Sequence, residues 1–264
     1  MNYQKICEEV IEVVKETGSF IKKEGARLSV DSVTRKGTND FVTHVDKSAE
    51  EQLVRGLSKI LLGSGFIAEE GTVKEKDEQF KWIIDPIDGT TNFIHKLPPF
   101  AVSVALMEGD VIVLGVVYEI MLDECFYSYK GANAYCNNKE ISVSLTSLLS
   151  DSFIATGFPY NYFDKLDPFM DSLTYLFQHT QGVRRLGSAA TDLVYVAAGR
   201  FDGFYEYNLK PWDVAAGAFI VQQAGGINAD FSGGDDYLFG REIVSANHNM
   251  FYELHNALKG FLKK

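Results

Sequence analysis

The stretch "WIIDPIDGTTNF", Trp82 to Phe93, joins an apolar run of strand type to two aspartates, a glycine and two threonines. Asp85 and Asp88 stand close together at the end of a buried segment, where they repel each other and where burial makes ionising both costlier. Folding alone does not ask for that arrangement, so a positive charge is missing from the sequence as written. Pro86 restricts the backbone between the two acids and helps fix their relative direction. Gly89 permits close backbone approach. Thr90 and Thr91 open the next helix, whose free N–H groups and dipole favour an anion. The stretch reads as a cradle for metal and phosphate.

Outward from it, two more acids fit the same pattern. Glu69 ends the strand-like "GFIAEE", and Asp213 sits in the first turn of the helical "WDVAAGAFIVQQAG". Strand ends and helix starts gather at one edge of a layered sheet, where ligands bind, so Glu69, Asp85, Asp88 and Asp213 are expected to converge. An all-oxygen set suits Mg2+, which takes one or two carboxylates, keeps waters and binds substrate phosphate. Asp85 can bridge two ions about 3.5–4 Å apart, the separation used in two-metal phosphoryl chemistry. Four carboxylates and two divalent cations cancel in charge, which admits a phosphate dianion. Taken singly, each signal has an ordinary explanation: a turn for the Asp pair, a solvated strand end for "AEEG", helix capping for Asp213. Their combination carries the functional reading.

Composition narrows the alternatives. With 264 residues, 46% hydrophobic and 23% charged, the chain has room for one large domain or two modest ones. A formal net charge of −11 opposes a nucleic-acid partner bound through bulk electrostatics. Cys7, Cys125 and Cys136 are too few and too scattered for a disulfide framework or a zinc site, and are expected to be reduced, packed thiols. The histidines form no paired-ligand pattern. No apolar run approaches the roughly 20 residues of a membrane span, and no window resembles a secretory signal. A cytoplasmic protein without a membrane partner is expected.

Apolar residues from Ile6 to Ile21 recur at helical spacing, as do those from Val45 to Leu61, with Thr43 or Asp46 as the N-cap of the second helix. "FAVSVALME" and "VIVLGVVYE" read as a hairpin through Gly109 and Asp110, followed by "ECFYSYK" and "AYCN" with an Asn-Asn turn. Past residue 145 the pattern changes to alternating strands and helices: "SFIATG", "VRRLG", "DGFYEY" and "IVSANH" as strands, "SAATDLVYVAAG" and the segment after Trp212 as helices. An α+β fold in two parts is predicted, residues 1–145 carrying most of the metal ligands and 146–264, of α/β type, carrying Asp213 and a substrate wall.

These motifs together resemble the inositol monophosphatase family of Mg2+-dependent, lithium-sensitive phosphatases, in a bacterial-type member. The likeness covers "DFVTHVDKSAE", "FIAEE", "DPIDGTT", "GVVYE", "GSAATDLVYVAAGRFDGFYE" and "WDVAAGAFIVQQAGG". It implies a five-layered αβαβα sandwich, commonly assembled as a homodimer. By that likeness Glu69, Asp85 and the carbonyl of Ile87 match the ligands of a first ion, and Asp85, Asp88 and Asp213 those of a second, with two or three Mg2+ per site. Thr90 matches the threonine that orients the attacking water with Glu69, and Asp46 an acid beside Thr90. Gly89 and Thr90 match the phosphate-binding backbone. Gly187, Ser188, Ala189 and Glu206 match the wall against the substrate's hydroxyls, with Asp88 and Asp213 also contacting substrate.

The resemblance implies a phosphomonoesterase acting on a small polyol or sugar phosphate such as myo-inositol 1-phosphate, by in-line attack of metal-activated water. NADP(H), fructose 1,6-bisphosphate and adenosine 3',5'-bisphosphate are substrates of relatives and stand as alternatives. Lys36, Arg184, Arg185 and Lys210 supply cations near the mouth or on solvated surface, and Glu206 has a rival reading as a surface acid paired with Lys210. A haloacid-dehalogenase mechanism, with an aspartyl phosphate, needs a different spacing of the two acids. A phosphate-binding module without turnover would not need every acid present.

Overall fold

The computed structural model describes residues 1–27, 34–37, 40–42, 44–74, 78–159 and 165–262, with backbone only for 34–37 and 40–42. The chain begins with helix α1 (Tyr3–Arg27), a hairpin β1 (Thr34–Gly37) and β2 (Asp40–Val42), and helix α2 (His44–Ile60). Strands β3 (Gly65–Ala68) and β4 (Phe80–Asp88) lead to the short helix α3 (Thr90–Ile94). A meander follows: β5 (Ala101–Glu108), β6 (Val111–Glu119), β7 (Glu124–Tyr129), β8 (Ala134–Cys136) and β9 (Lys139–Ile141). The remainder alternates: β10 (Phe153–Thr156), α4 (Leu166–His179), β11 (Gly182–Arg184), α5 (Ala189–Ala197), β12 (Gly203–Tyr207), α6 (Pro211–Gln223), β13 (Gly226–Ala229), β14 (Glu242–Asn247) and α7 (Phe251–Leu262).

Strands β3 to β9 form one seven-stranded sheet in sequence order, with only β3 and β4 parallel. The second sheet runs β11-β10-β12-β14-β13. Successive side chains on a strand point to opposite faces, and the three hydrophobic cores follow that alternation. Trp82, Ile84, Val104 and Val116 pack with Val10, Val14, Leu53 and Leu57 of α1 and α2. Their neighbours Ile83, Ala105 and Val117 turn the other way, onto Leu193 of α5 and Val214 and Ala218 of α6, which also cover Ala155, Phe204 and Ile243. Ile154, Tyr205 and Val244 face Phe169, Leu176, Leu254 and Leu258 of α4 and α7. Three cores between five layers give the αβαβα sandwich. Helix α6 is buried from Val214 to Val221 on all sides, as a middle layer requires.

Two differences from the sequence reading bear on the site. The Asp85–Asp88 segment, expected as a turn, is the end of β4: Asp85 pairs with Ser103 and Asp88 with Ala101, so one extra residue is accommodated by a register shift. Pro86 has no N–H for the ladder and is tolerated at such an irregularity. The "VRRLG" strand stops at Arg184, which leaves Arg185 and Leu186 in the approach to α5. Strand β13, short and opened by glycine, carries no periodic signal in the sequence. Thr43 and Lys36 lie outside the residues whose side chains are described; the asparagine turn is present, with Asn137 and Asn138 at φ 48° and 64°.

Candidate active site

Strand β4 ends at Asp88, and α6 begins at Pro211. Close packing of glycine against backbone brings these two ends together. A Cβ on Gly115 of β6 would stand 2.7 Å from the Ala216 carbonyl oxygen of α6, and one on Gly217 would stand 2.6 Å from the Leu193 Cβ of α5. With α6 seated that deeply, its first turn delivers Asp213 to the irregular end of β4. One oxygen from each of Asp85, Asp88 and Asp213 lies within 4.8 Å of the others. Glu69, just past β3, lies close enough to Asp85 to raise its carboxyl. Of the four acids expected to converge, Asp85, Asp88 and Asp213 form the cluster and Glu69 lies beside Asp85.

Backbone and hydroxyl donors anchor one oxygen of each member of the triad. The Ile87 N–H donates to Asp85 Oδ1 at 2.9 Å. Asp88 Oδ2 accepts from Ser188 Oγ at 2.6 Å and the Ala190 N–H at 2.7 Å. Asp213 Oδ2 accepts the Lys210 N–H at 2.7 Å, closing the capping box of α6. Capping and clustering are thus two uses of one carboxylate. The electrostatic cost falls on the carboxyls themselves, which are held in their protonated form more strongly than usual. Burial first, then Glu69, Asp88 and Asp213, hold the Asp85 carboxyl well above the ordinary range. Burial pushes Asp88 up to about 6, against the Ser188 hydroxyl and the Ala189 and Ala190 amides that pull it down. Asp213 is raised by burial and then by Asp88. Mutually repelling carboxylates with only oxygen donors around them are what a hard divalent cation stabilises. The residues fit such an ion.

The inositol monophosphatase family model matches residues 2–262. The chain belongs to the inositol monophosphatase family. A protein named inositol-1-monophosphatase from Mesorhizobium japonicum is 39% identical over 95% of this chain and 94% of its own length. A Nus factor SuhB from Escherichia coli is 40% identical over 94% of this chain and 97% of its own. Among solved structures, the extragenic suppressor protein suhB of Bartonella henselae superposes with a TM-score of 0.90 at 38% identity, covering 96% of this chain and 97% of that one. An IMPase of Thermotoga maritima superposes with a TM-score of 0.87 at 33% identity, covering 96% of each. Membership in the inositol monophosphatase family supports a phosphatase.

The remaining residues singled out by their likeness to inositol monophosphatases surround these acids. Thr90 Oγ1 donates to the Ile87 carbonyl at 3.0 Å and stands 3.3 Å from Asp46 Oδ1. Gly89, at φ 94°, caps α3, where a Cβ would come within 3.1 Å of the Gly187 and Pro99 carbonyl oxygens. Gly187, at φ 91°, precedes Ser188, the N-cap of α5, whose Oγ accepts the Thr191 N–H. Glu206, near the C-terminal end of β12, is raised to about 8 by burial and then by Asp88, with Arg185 acting against both. Its side chain lies over Gly157, where a Cβ would fall 2.1 Å from Glu206 Oε2.

The cations divide. Arg185 lies over the Phe158 ring and its field reaches Glu206 and Asp192. Arg184 is exposed and lies over Phe153. Lys210 is exposed and contributes its backbone N–H and its charge to Asp213. No ion pair joins Lys210 to Glu206 among the described residues, so the surface-pair reading of Glu206 gives way to a half-buried acid facing the cluster. Three residues went unread in the sequence. Asn92 Nδ2 donates to both the Pro99 and Leu186 carbonyls at 2.8 Å, tying α3 to the approach of α5. Gly157 leaves the space that Glu206 fills. Asp192 is buried in α5 with Oδ1 unpartnered, and burial, then Glu206 and Asp88, raise its carboxyl well above its usual range. An acid inside the apolar run "AATDLVYVA" was the available signal for Asp192; a lone Asn or Gly offered none.

Proposed function

We propose that the chain is a Mg2+-dependent phosphomonoesterase of a small polyol or sugar phosphate, with myo-inositol 1-phosphate the leading substrate. The observation that carries this reading is the convergence of Asp85, Asp88 and Asp213, with Glu69 beside Asp85, next to the backbone of Gly89 and Thr90. Glu69, Asp85 and the Ile87 carbonyl would hold one ion, and Asp85, Asp88 and Asp213 a second. When bound, Mg2+ neutralises the acids, draws in the phosphate and acidifies a water. Glu69 and the Thr90 hydroxyl would orient that water, with the Glu69 carboxylate accepting its proton and Asp46 accepting a hydrogen bond from the Thr90 hydroxyl. The Gly89 and Thr90 amides face the phosphate oxygens. Glu206 and the Gly187 to Ala189 segment receive the hydroxyls of the alcohol portion, since a carboxylate accepts hydroxyl hydrogen bonds and repels the phosphate.

The relatives called Nus factor SuhB match this chain as well as the one called inositol-1-monophosphatase, so names alone do not select the substrate. The intact acid cluster favours catalysis over binding without turnover. Phosphate release from myo-inositol 1-phosphate, fructose 1,6-bisphosphate, NADP, adenosine 3',5'-bisphosphate and an aryl phosphate, with Mg2+ or with EDTA after metal stripping, tests the reading. Expected is Mg2+-dependent release with the highest kcat/KM on the inositol ester. Release that persists without metal, or none from any ester, overturns it. The homodimer that the family resemblance implies is checked by sedimentation of the same preparation.

A further inference from the structure

Helix α2 carries two buried carboxylates one turn apart, and both reach toward the site. Asp46 and Glu50 are 1% and 0% exposed, and residues four apart lie on the same helix face. Asp46 meets the Thr90 hydroxyl. Glu50 meets the loop after Glu69: its Oε2 accepts the Glu70 N–H at 2.7 Å, and its Oε1 accepts the Thr72 N–H at 2.8 Å and the Thr72 hydroxyl at 2.6 Å. The Glu70 N–H belongs to the peptide group that follows the Glu69 Cα. The peptide group before it is held by β4, through the Glu69 N–H and the Ile84 carbonyl at 3.4 Å. Glu69 is therefore fixed on both sides, once by the sheet and once by Glu50.

We propose that Glu50 is a positioning residue for Glu69, and that α2 acts as a brace setting Glu69 and Thr90 relative to each other through Glu50 and Asp46. The proposal rests on the phosphatase reading above for the roles of Glu69 and Thr90. The chemistry requires an acid at position 50. Three donors converge on two oxygens, and a carboxylate is acceptor-only, whereas a glutamine amide would turn an NH2 group toward at least one donor. Bonds to an ionised acceptor are also the stronger kind. The apolar residues of α2, Val45, Ala49, Leu53 and Leu57, are fully buried against α1 and the large sheet, so the brace has a rigid base. A structural role alone would make Glu50 matter for stability; a positioning role makes it matter for the metal and the chemical step while substrate binding is spared.

The test uses the full chain with Glu50→Gln and, as a milder change at an exposed residue, Thr72→Val. Unfolding curves establish that each is folded. Mg2+ binding by calorimetry, kcat and KM on the ester found most active, and amide exchange at Glu70 and Thr72 are then compared with wild type. For Glu50→Gln, kcat and Mg2+ affinity should each fall about 10–100-fold, as for other outer partners of metal ligands. KM should hold, and both amides should exchange faster. Thr72→Val should move the same quantities in the same direction by less, and decides the matter if Glu50→Gln does not fold. A folded variant with wild-type Mg2+ affinity and kcat, or one changed in KM alone, overturns the brace. If wild type releases no phosphate, the phosphatase reading fails first. Exchange at Glu70 and Thr72 and Mg2+ binding then still decide for or against the brace.

Discussion

Glu69 lies beside Asp85 of the acid triad and raises its carboxyl, so Glu69→Gln keeps a side-chain oxygen there while removing charge and basicity. The loss should fall on kcat and amount to about 3 kcal/mol, comparable with removing one preorganised electrostatic group. A kcat within threefold of wild type, at about 0.7 kcal/mol or less, would remove Glu69 from water activation. Glu206 offers a sharper test because it can be perturbed in two ways. Glu206→Gln should weaken KM for polyhydroxylated phosphates by about 1–3 kcal/mol, the range for a hydrogen bond to a charged group. Gly157→Ala keeps the charge but places a methyl where the carboxylate lies, and should reproduce the same KM defect. An aryl phosphate should register neither change. Equal losses on both kinds of ester would show that Glu206 supports the metal site or the fold.

At the scale of elements, α6 sets the position of Asp213, and its depth depends on Gly115, where backbone meets backbone. Gly115→Ala places a methyl 2.7 Å from the Ala216 carbonyl oxygen. Neither a strand in the middle of a seven-stranded sheet nor a helix buried on all sides can yield cheaply. Overpacking of this kind costs about 1–3 kcal/mol, and the shift of α6 should also lower Mg2+ affinity by moving Asp213 from Asp85 and Asp88. Denaturant titration and metal calorimetry read the two effects, and a variant normal in both would show that α6 tolerates lateral movement. The amphipathic helices α1 and α2 and the hairpin β5–β6 could be placed from period and turn residues alone. The bulge at Pro86 could not, because an Asp-Pro-Ile-Asp string has the composition of a turn. Only pairing with Ser103 and Ala101 on β5 keeps it in the sheet.

At the scale of the molecule, the middle core draws on both halves of the chain, with Ile83, Val117 and Phe126 packed with Leu193, Val214 and Ile243. We propose that residues 1–145 and 146–264 unfold in one transition, and two separated calorimetric peaks would refute that. The acids make a second global prediction. A carboxyl whose folded pKa is raised binds its proton more tightly in the native state, so stability falls as pH rises from its unfolded pKa through its folded one. Glu206, raised to about 8, extends that window to pH 8, with the upward shifts of Asp85, Asp192 and Asp213 acting in the same direction. Burial lowers His255 from 6.5 and gives the opposite slope below that value. The metal-free protein should therefore lose Tm between pH 6.5 and 8. Mg2+ should restore it at pH 8 by binding only the folded state. A Tm that rises over that interval in EDTA would contradict the placement of these acids.

The residues' own chemistry was enough to mark Asp85, Asp88, Glu69 and Asp213 as candidate ligands of an oxygen-preferring cation, because repulsion between clustered acids is a local property that the chain must answer wherever it folds. Periodicity sufficed for most helices and strands, since burial on one face leaves its period in the sequence. What needed the tertiary structure were relations between segments far apart in the chain. Asn92 bridges Pro99 and Leu186, Gly157 makes room for Glu206, and Glu50 holds the loop after Glu69. A glycine, an amide or a glutamate on an amphipathic helix looks the same in sequence whether it faces solvent or a distant backbone. Only packing decides which, because the free energy of a buried polar group depends on the partner it finds.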